Sequence, residues 1–105
     1  MFDSNHFRLD GQTAVITGAG AGIGRAIAEV FAGAGAAVVV SDMDRNAAVS
    51  AATAISDAGG RAVGVACNVA TEEDLQAVVK TAVDHFGRRT ILVNNAGGGG
   101  PKPFD

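Results

Sequence analysis

The stretch TGAGAGIG, residues 17–24, contains four glycines among eight residues. The apolar run TAVI precedes it and has the composition of a β-strand, whereas RAIAEVFA follows it and has the composition of a helix. A glycine in the interior of either element costs roughly 0.5–1 kcal/mol relative to alanine. The glycines therefore mark a strand-to-helix junction at which the backbone must stay free of side chains.

Strand-like and helix-like segments alternate along the rest of the chain. Crossovers of this length, each containing a helix, connect strands that lie parallel. The sequence therefore predicts an α/β fold built on a parallel sheet. The predicted strands are TAVIT at 13–17, AVVVS at 37–41, RAVGVA at 61–66 and ILVNN at 91–95, and the helices between them end near residues 33, 58 and 86.

Apolar periodicity predicts which face of a helix is buried. In the first helix the apolar residues follow the spacing of one helical face, which predicts that this face packs on the sheet. The third helix has Thr71 as its predicted N-cap, followed by three acidic residues where the helix dipole is positive. The predicted buried face of the first helix consists of Ile23, Ala26, Ile27, Val30 and Phe31.

Composition and charge narrow the class of protein. The chain has 105 residues, enough for one domain, with 48% hydrophobic and 18% charged residues. A net charge of −3 argues against nucleic acid or an anionic membrane surface as a partner. The single cysteine, Cys67, excludes an internal disulfide and is expected in the core. With no signal peptide and no long apolar run, these features predict a cytoplasmic protein.

The spacing of the glycines predicts an anion site. In parallel α/β sheets ligands bind at the carboxyl ends of the strands, where unpaired N–H groups at a helix N-terminus attract anions. Side chains would hold a phosphate away from these N–H groups, so a bare backbone suits a diphosphate. A GxGxxG pattern from Gly18 would need glycine at position 23, which is Ile23. The chain instead has GxxxGxG through Gly18, Gly22 and Gly24.

A second motif, NNAG at residues 94–97, follows the fourth predicted strand. Together, TGAGAGIG and NNAG resemble the short-chain dehydrogenase/reductase family, over a range from about Leu9 to the last residue. The resemblance implies the N-terminal half of a doubly wound Rossmann fold with strand order 3-2-1-4, ending after the fourth strand. Residues 1–105 would then form a partial NAD-binding domain that lacks the catalytic half.

Asp42 stands at the end of the second predicted strand, 18 residues after Gly24. The resemblance implies that its carboxylate accepts hydrogen bonds from both hydroxyls of the adenosine ribose, each worth about 1.5–3 kcal/mol. The same charge would repel a 2′-phosphate, at a cost of about 4 kcal/mol for charges ~4 Å apart at an effective dielectric near 20. Neither Ala21 nor Met43 supplies the basic residue that NADP-binding members tend to carry there. The sequence therefore predicts NAD rather than NADP as the cofactor.

The resemblance assigns further contacts with the cofactor. Asn68 stands where the family usually has aspartate, and its side-chain oxygen can still accept a hydrogen bond from the adenine amino group. Asn95 resembles the residue that contacts the nicotinamide-side ribose. Asn94 is expected to tie neighbouring strands together, because its amide offers donors and acceptors at once. The predicted cofactor-binding set is Gly18, Gly22, Ile23, Gly24, Asp42, Met43, Asn68, Val69, Asn95, Ala96 and Gly97.

The glycine-rich tail GGGGPKP begins at Gly97. The resemblance places it over the nicotinamide end, where a wall without side chains suits a bulky apolar substrate such as a sterol or bile acid, with Gly99 as the substrate contact. On composition alone, a flexible linker fits equally well. Neither histidine, His6 nor His85, has companions at metal-ligand spacing, so no metal site is predicted.

The groups that perform the family's chemistry are missing from these residues. In the family a tyrosine acts as acid and base, a lysine four residues later lowers its pKa, and a serine hydrogen-bonds the reacting oxygen. The chain has no tyrosine. The resemblance therefore implies that Ser and Tyr-x-x-x-Lys follow in a longer, homotetrameric protein, and that this polypeptide alone is catalytically silent.

Three functions stay open at the level of sequence. The first is an NAD-dependent dehydrogenase of a secondary alcohol, with a hydroxysteroid such as a 7α-hydroxy bile acid as the substrate. The second is a 3-ketoacyl-carrier-protein reductase, which usually uses NADP, so that Asp42 counts against it, or another alcohol dehydrogenase of the same family. The third is a module that holds NAD without chemistry, or a partial sequence with no activity of its own.

Overall fold

Strands and helices alternate through the residues that the computed structural model describes, which are 8–68, 71–87 and 90–95. This alternation confirms the predicted α/β class. The elements are β1 (Thr13–Thr17), α1 (Gly22–Gly33), β2 (Ala37–Asp42), α2 (Arg45–Asp57), β3 (Arg61–Ala66), α3 (Glu72–Phe86) and β4 (Thr90–Val93).

The strands form one parallel sheet in the order β3-β2-β1-β4, which confirms the predicted order 3-2-1-4. In the register, Thr17 at the end of β1 lies beside Ser41 of β2, and Ile16 lies beside Val93 of β4. The carboxyl ends of the strands therefore meet at one edge of the sheet. The fourth strand is one residue earlier at its start and shorter than predicted, so that Asn94 and Asn95 follow it rather than belong to it.

Both faces of the sheet are covered, which explains the unbroken apolar runs in β1 and β2. Alternate strand residues such as Ile16 and Val40 pack against α1 and α2, and the other set, including Val15 and Val39, packs against α3. Cys67 lies in the second of these clusters, where it is 3% exposed. Burial raises the pKa of the Cys67 thiol, and a neighbouring Ser41 hydroxyl partly opposes this rise.

The buried face predicted for α1 is wrong in part. Ile23 is 75% exposed and Val30 is 49% exposed, and Ala26 is exposed as well. The residues of α1 that are buried are the small ones, Gly24 and Ala28.

The reason is the size of the residues that face the sheet. Glycine and alanine let the helix backbone approach the strands closely, so the contact face is centred on Gly24 and Ala28, with Ile27, Phe31 and Ala32 packed beside them. A prediction based on the spacing of large apolar residues overlooks small residues such as Gly24 and Ala28. Among the described residues, no helix combines the length and the apolar character that a bilayer crossing requires.

Candidate functional site

The glycine-rich loop connects the carboxyl end of β1 to the start of α1. Gly18 and Gly22 both have φ of 62°, a left-handed conformation that glycine adopts without the steric cost that a Cβ would bring. The chain can therefore turn twice within five residues, with Ala21 and Gly22 exposed where α1 begins.

Gly24 is required by close packing rather than by its backbone conformation. It is buried in the first turn of α1. A Cβ at this position would overlap the Gly18 carbonyl oxygen and would lie 2.6 Å from Nδ2 of Asn95. The third glycine of the motif thus lets the helix, the loop and the end of β4 meet.

The N-terminus of α1 differs from the other helix N-termini that the structure describes. Its N-cap is Ala21, with no side-chain hydrogen bond. Its first turn contains no acidic residue, a feature that it shares with α2 but not with α3. In α2 the Asp44 carboxylate accepts from the Ala47 N–H, and in α3 the Thr71 hydroxyl accepts from the Asp74 N–H. The first N–H groups of α1 are therefore offered to an external anion, as the positive end of a helix dipole favours. This bare N-terminus fits a diphosphate.

Asp42 ends β2 beside the glycine-rich loop. Its Oδ2 accepts a hydrogen bond of 2.9 Å from the Gly20 N–H, and its Oδ1 accepts one of 2.9 Å from the Asp44 N–H. The two hydrogen bonds fix the plane of the half-buried carboxylate. Each carboxylate oxygen has a second lone pair, so both can still accept from an external diol.

The end of β4 is joined to β1 through a buried threonine. The Thr17 hydroxyl donates to Oδ1 of Asn94 over 3.0 Å and accepts from the Asn95 N–H over 2.9 Å. The side-chain Nδ2 of Asn95 also donates to the Gly18 carbonyl, at 3.4 Å. Asn94 therefore links neighbouring strands, as the sequence predicts, and Asn95 is held against the glycine-rich loop.

We expect Thr17→Val to weaken this junction. Valine has nearly the shape of threonine but leaves the Asn95 N–H and the Asn94 oxygen without the hydroxyl, at a cost of about 1–2 kcal/mol in the free energy of unfolding. Urea-induced unfolding measures this change. Thr17→Ser, which keeps the hydroxyl, is the matched control and should lose less than valine. Equal stability of the valine variant and the parent would contradict the role of the hydroxyl.

The turn after β3 brings Asn68 to the same edge of the sheet. The Cys67 N–H donates to the Asp42 carbonyl oxygen at 2.9 Å, which continues the pairing of β2 with β3. The Asn68 N–H donates to Oδ2 of Asp74 at 2.9 Å, and its carbonyl accepts from the Thr71 N–H at 3.1 Å. The backbone of Asn68 is thereby fixed to the first turn of α3.

The remaining predicted residues are placed as follows. Ile23 and Met43 are 75% and 73% exposed, on the first turn of α1 and directly after β2. His85 lies on α3, where its Nδ1 is 3.0 Å from the Thr81 carbonyl oxygen. Within the described ranges no group of three or more histidine, cysteine or acidic residues could hold a metal ion. The predicted contacts Val69, Ala96, Gly97 and Gly99, and also His6, lie outside the described residues.

Sequence reasoning missed three residues that shape this edge: Thr17, Gly20 and Asp44. The sequence did contain a signal for Gly20, since it is one of the four glycines of the opening stretch. No pattern marks Thr17, because its hydroxyl acts on residues 77 and 78 positions further along the chain. Asp44 could have been recognised as the N-cap of α2.

The chain resembles known proteins across its length. A family model described as short chain dehydrogenase matches residues 12–105. The 7alpha-hydroxysteroid dehydrogenase of Escherichia coli K12 is 53% identical over 105 residues, covering 100% of this chain and 41% of the relative. Glucose 1-dehydrogenase 2 of Bacillus subtilis is 43% identical over 90 residues, covering 85% of this chain and 35% of the relative.

A solved structure with a similar fold contains bound ligands. It is a 7alpha-hydroxysteroid dehydrogenase in complex with NADH and 7-oxo-glycochenodeoxycholic acid, 53% identical, with a TM-score of 0.87. The match covers 100% of this chain and 41% of that one. The chain therefore spans about two fifths of the length of the first of these relatives.

Proposed function

The chain belongs to the short-chain dehydrogenase family, and we propose that it forms the NAD-binding part of an oxidoreductase. The proposed reaction is hydride transfer between the nicotinamide of bound NAD and a secondary alcohol or ketone. One observation carries the proposal: the glycine-rich loop, the uncapped start of α1 and the Asp42 carboxylate lie together at the carboxyl edge of a parallel sheet.

The diphosphate of the cofactor is proposed to bind at the N-terminus of α1. The left-handed turns at Gly18 and Gly22 expose the backbone there, and no side chain of the described residues caps the helix. An anion at this position gains both the free N–H groups and the positive end of the helix dipole. The absence of acidic side chains from the first turn removes the charge that would compete with it.

Asp42 is proposed to select NAD over NADP. Its carboxylate is held by two backbone N–H groups, so it can accept from the ribose hydroxyls without first being ordered. A 2′-phosphate would bring a second negative charge against it. The complex of the similar solved structure with NADH agrees with this choice. Asn68 and Asn95 are proposed as further contacts, to the adenine and to the nicotinamide-side ribose.

A hydroxysteroid is proposed as the substrate, with the 7α-hydroxyl of a bile acid as the reacting group. The 53% identity to a 7alpha-hydroxysteroid dehydrogenase, and the bile acid bound in the similar solved structure, support this choice. Gly99 is proposed to line the substrate site. Because the chain has no tyrosine, the acid–base group is proposed to belong to a further segment of a cytoplasmic homotetramer.

The test uses the natural gene product that contains residues 1–105 and measures its activity with different substrates and cofactors. Oxidation of 7α-hydroxy bile acids, followed as NADH formation, should occur with NAD and be weaker with NADP, and the 7β-epimers should react poorly. If the protein turned over only acetoacetyl thioesters, and only with NADPH as the cofactor, the steroid proposal would be contradicted and a ketoacyl reductase would be favoured. Saturable NADH binding without turnover of any alcohol would favour a module that only holds the cofactor.

A further inference from the structure

The physical reason for glycine at position 20 differs from the reason at the other glycines of the loop. Gly18 and Gly22 have φ of 62°, whereas Gly20 is not among the described residues with positive φ. Its backbone is therefore outside the left-handed region that favours glycine. The requirement for glycine must come from the space around it and not from the turn.

The space beside Gly20 is filled by the carboxylate and by α2. A Cβ on this residue would lie 2.9 Å from Oδ2 of Asp42 and 2.6 Å from Cβ of Ala47. It would also lie 3.1 Å from the Ala47 carbonyl carbon, which belongs to the helix backbone and cannot rotate away. Any side chain at position 20 must therefore displace either the Asp42 carboxylate or the first turn of α2.

The amide of Gly20 also serves a different purpose from the start of α1. Its N–H donates to Oδ2 of Asp42 at 2.9 Å, so it points at the carboxylate and not at a diphosphate. Together with the Asp44 N–H on Oδ1, it sets the direction in which the remaining lone pairs of Asp42 face.

We infer that Gly20 is a positioning residue for recognition of the adenosine ribose: its N–H and its missing Cβ hold the Asp42 carboxylate in the orientation that accepts from the ribose hydroxyl. The inference rests on the proposed function, because it assumes that Asp42 binds this ribose. In this inference Gly20 acts through Asp42, because its N–H is already used by that carboxylate.

The test measures affinities of Gly20→Ala for NADH and for 2′-deoxy-NADH, which lacks the 2′-hydroxyl of the adenosine ribose. The parent should bind NADH about tenfold more tightly than the analogue, because the hydrogen bond to a charged acceptor is lost with the hydroxyl. In Gly20→Ala this ratio should fall below about threefold, because NADH loses more affinity than the analogue, which has only the 3′-hydroxyl to offer to Asp42. Gly33→Ala, at a helical glycine with nothing within 4 Å of its added Cβ, is the matched control.

Two further variants make the outcome decisive. In an Asp42→Ala background, adding Gly20→Ala should change the ratio no further, because the residue through which Gly20 acts is gone. If circular dichroism shows that Gly20→Ala is unfolded, the same ratio is measured in Gly20→Ala/Ala47→Gly, which removes the nearest side-chain atom.

An unchanged ratio in the alanine variant, or an equal loss of affinity for both ligands, would overturn the inference and leave the proposed function standing. A parent that binds neither ligand would contradict the proposed function and with it the inference. A parent that binds both alike would show that the 2′-hydroxyl is not recognised, which overturns the inference and the proposed ribose contact of Asp42.

Discussion

Gly24→Ala should lower the affinity for NADH by roughly ten- to a hundredfold and destabilise the fold by about 1–3 kcal/mol. The added Cβ would overlap the Gly18 carbonyl oxygen and crowd Nδ2 of Asn95. The carbonyl belongs to the backbone, so no side-chain rotation relieves the overlap, and α1 must move away from the loop. The N–H groups at its first turn then lose their alignment with the proposed diphosphate.

Titration with NADH, followed by its fluorescence, and urea-induced unfolding measure the two effects. Gly33→Ala is again the control, because a Cβ there meets open space at the far end of the same helix. It should leave both the affinity and the stability near those of the parent. An affinity of Gly24→Ala within twofold of the parent, in a folded protein, would show that the start of α1 does not bind the diphosphate.

Asp42→Ala is expected to remove the preference for NAD. Loss of a charged acceptor facing the ribose should lower the affinity for NADH about ten- to a hundredfold. The affinity for NADPH should rise, because the charge that repels its 2′-phosphate is gone. The measured quantity is the dissociation constant for NADPH divided by that for NADH. This ratio should fall from well above one in the parent to one or below in the variant.

Two further variants separate the charge from the local structure. Asp42→Asn removes the charge and keeps one side-chain oxygen for one of the two backbone N–H groups, so NADPH should bind better than in the parent and the loop should be perturbed less than in Asp42→Ala. Asp57→Ala, at the opposite end of α2, removes an exposed aspartate away from the site and should leave the ratio unchanged. Should Asp42→Ala bind NADPH no better than the parent, the explanation of cofactor choice fails.

The sequence was sufficient for the parts of the fold that depend on local pattern. The order of the elements, the glycine-rich junction between β1 and α1 and the position of Asp42 at the end of β2 all follow from runs of neighbouring residues. The N-cap at Thr71 is also confirmed, since its hydroxyl accepts from the Asp74 N–H.

The parts that failed or were missed depend on contacts across the fold. The buried face of α1 is set by Gly24 and Ala28, whose small size matters only once the distance between helix and sheet is known. The role of Gly20 becomes visible only beside Ala47 and Asp42, which come from another strand and helix. Hydrophobic periodicity reports whether each residue is apolar or polar. It gives neither the distance between helix and sheet nor the space around a single residue such as Gly20.

The hydrogen bonds between Thr17 and the residues after β4 have a consequence for how the protein is made. They join positions 77 and 78 apart in the chain, and closing so long a loop costs more entropy than pairing β1 with β2. During synthesis β4 leaves the ribosome last among the described elements. A nascent chain can therefore assemble three strands and two helices on one face before Asn95 arrives at the proposed nucleotide site, so ligand affinity would appear only after β4 has paired with β1.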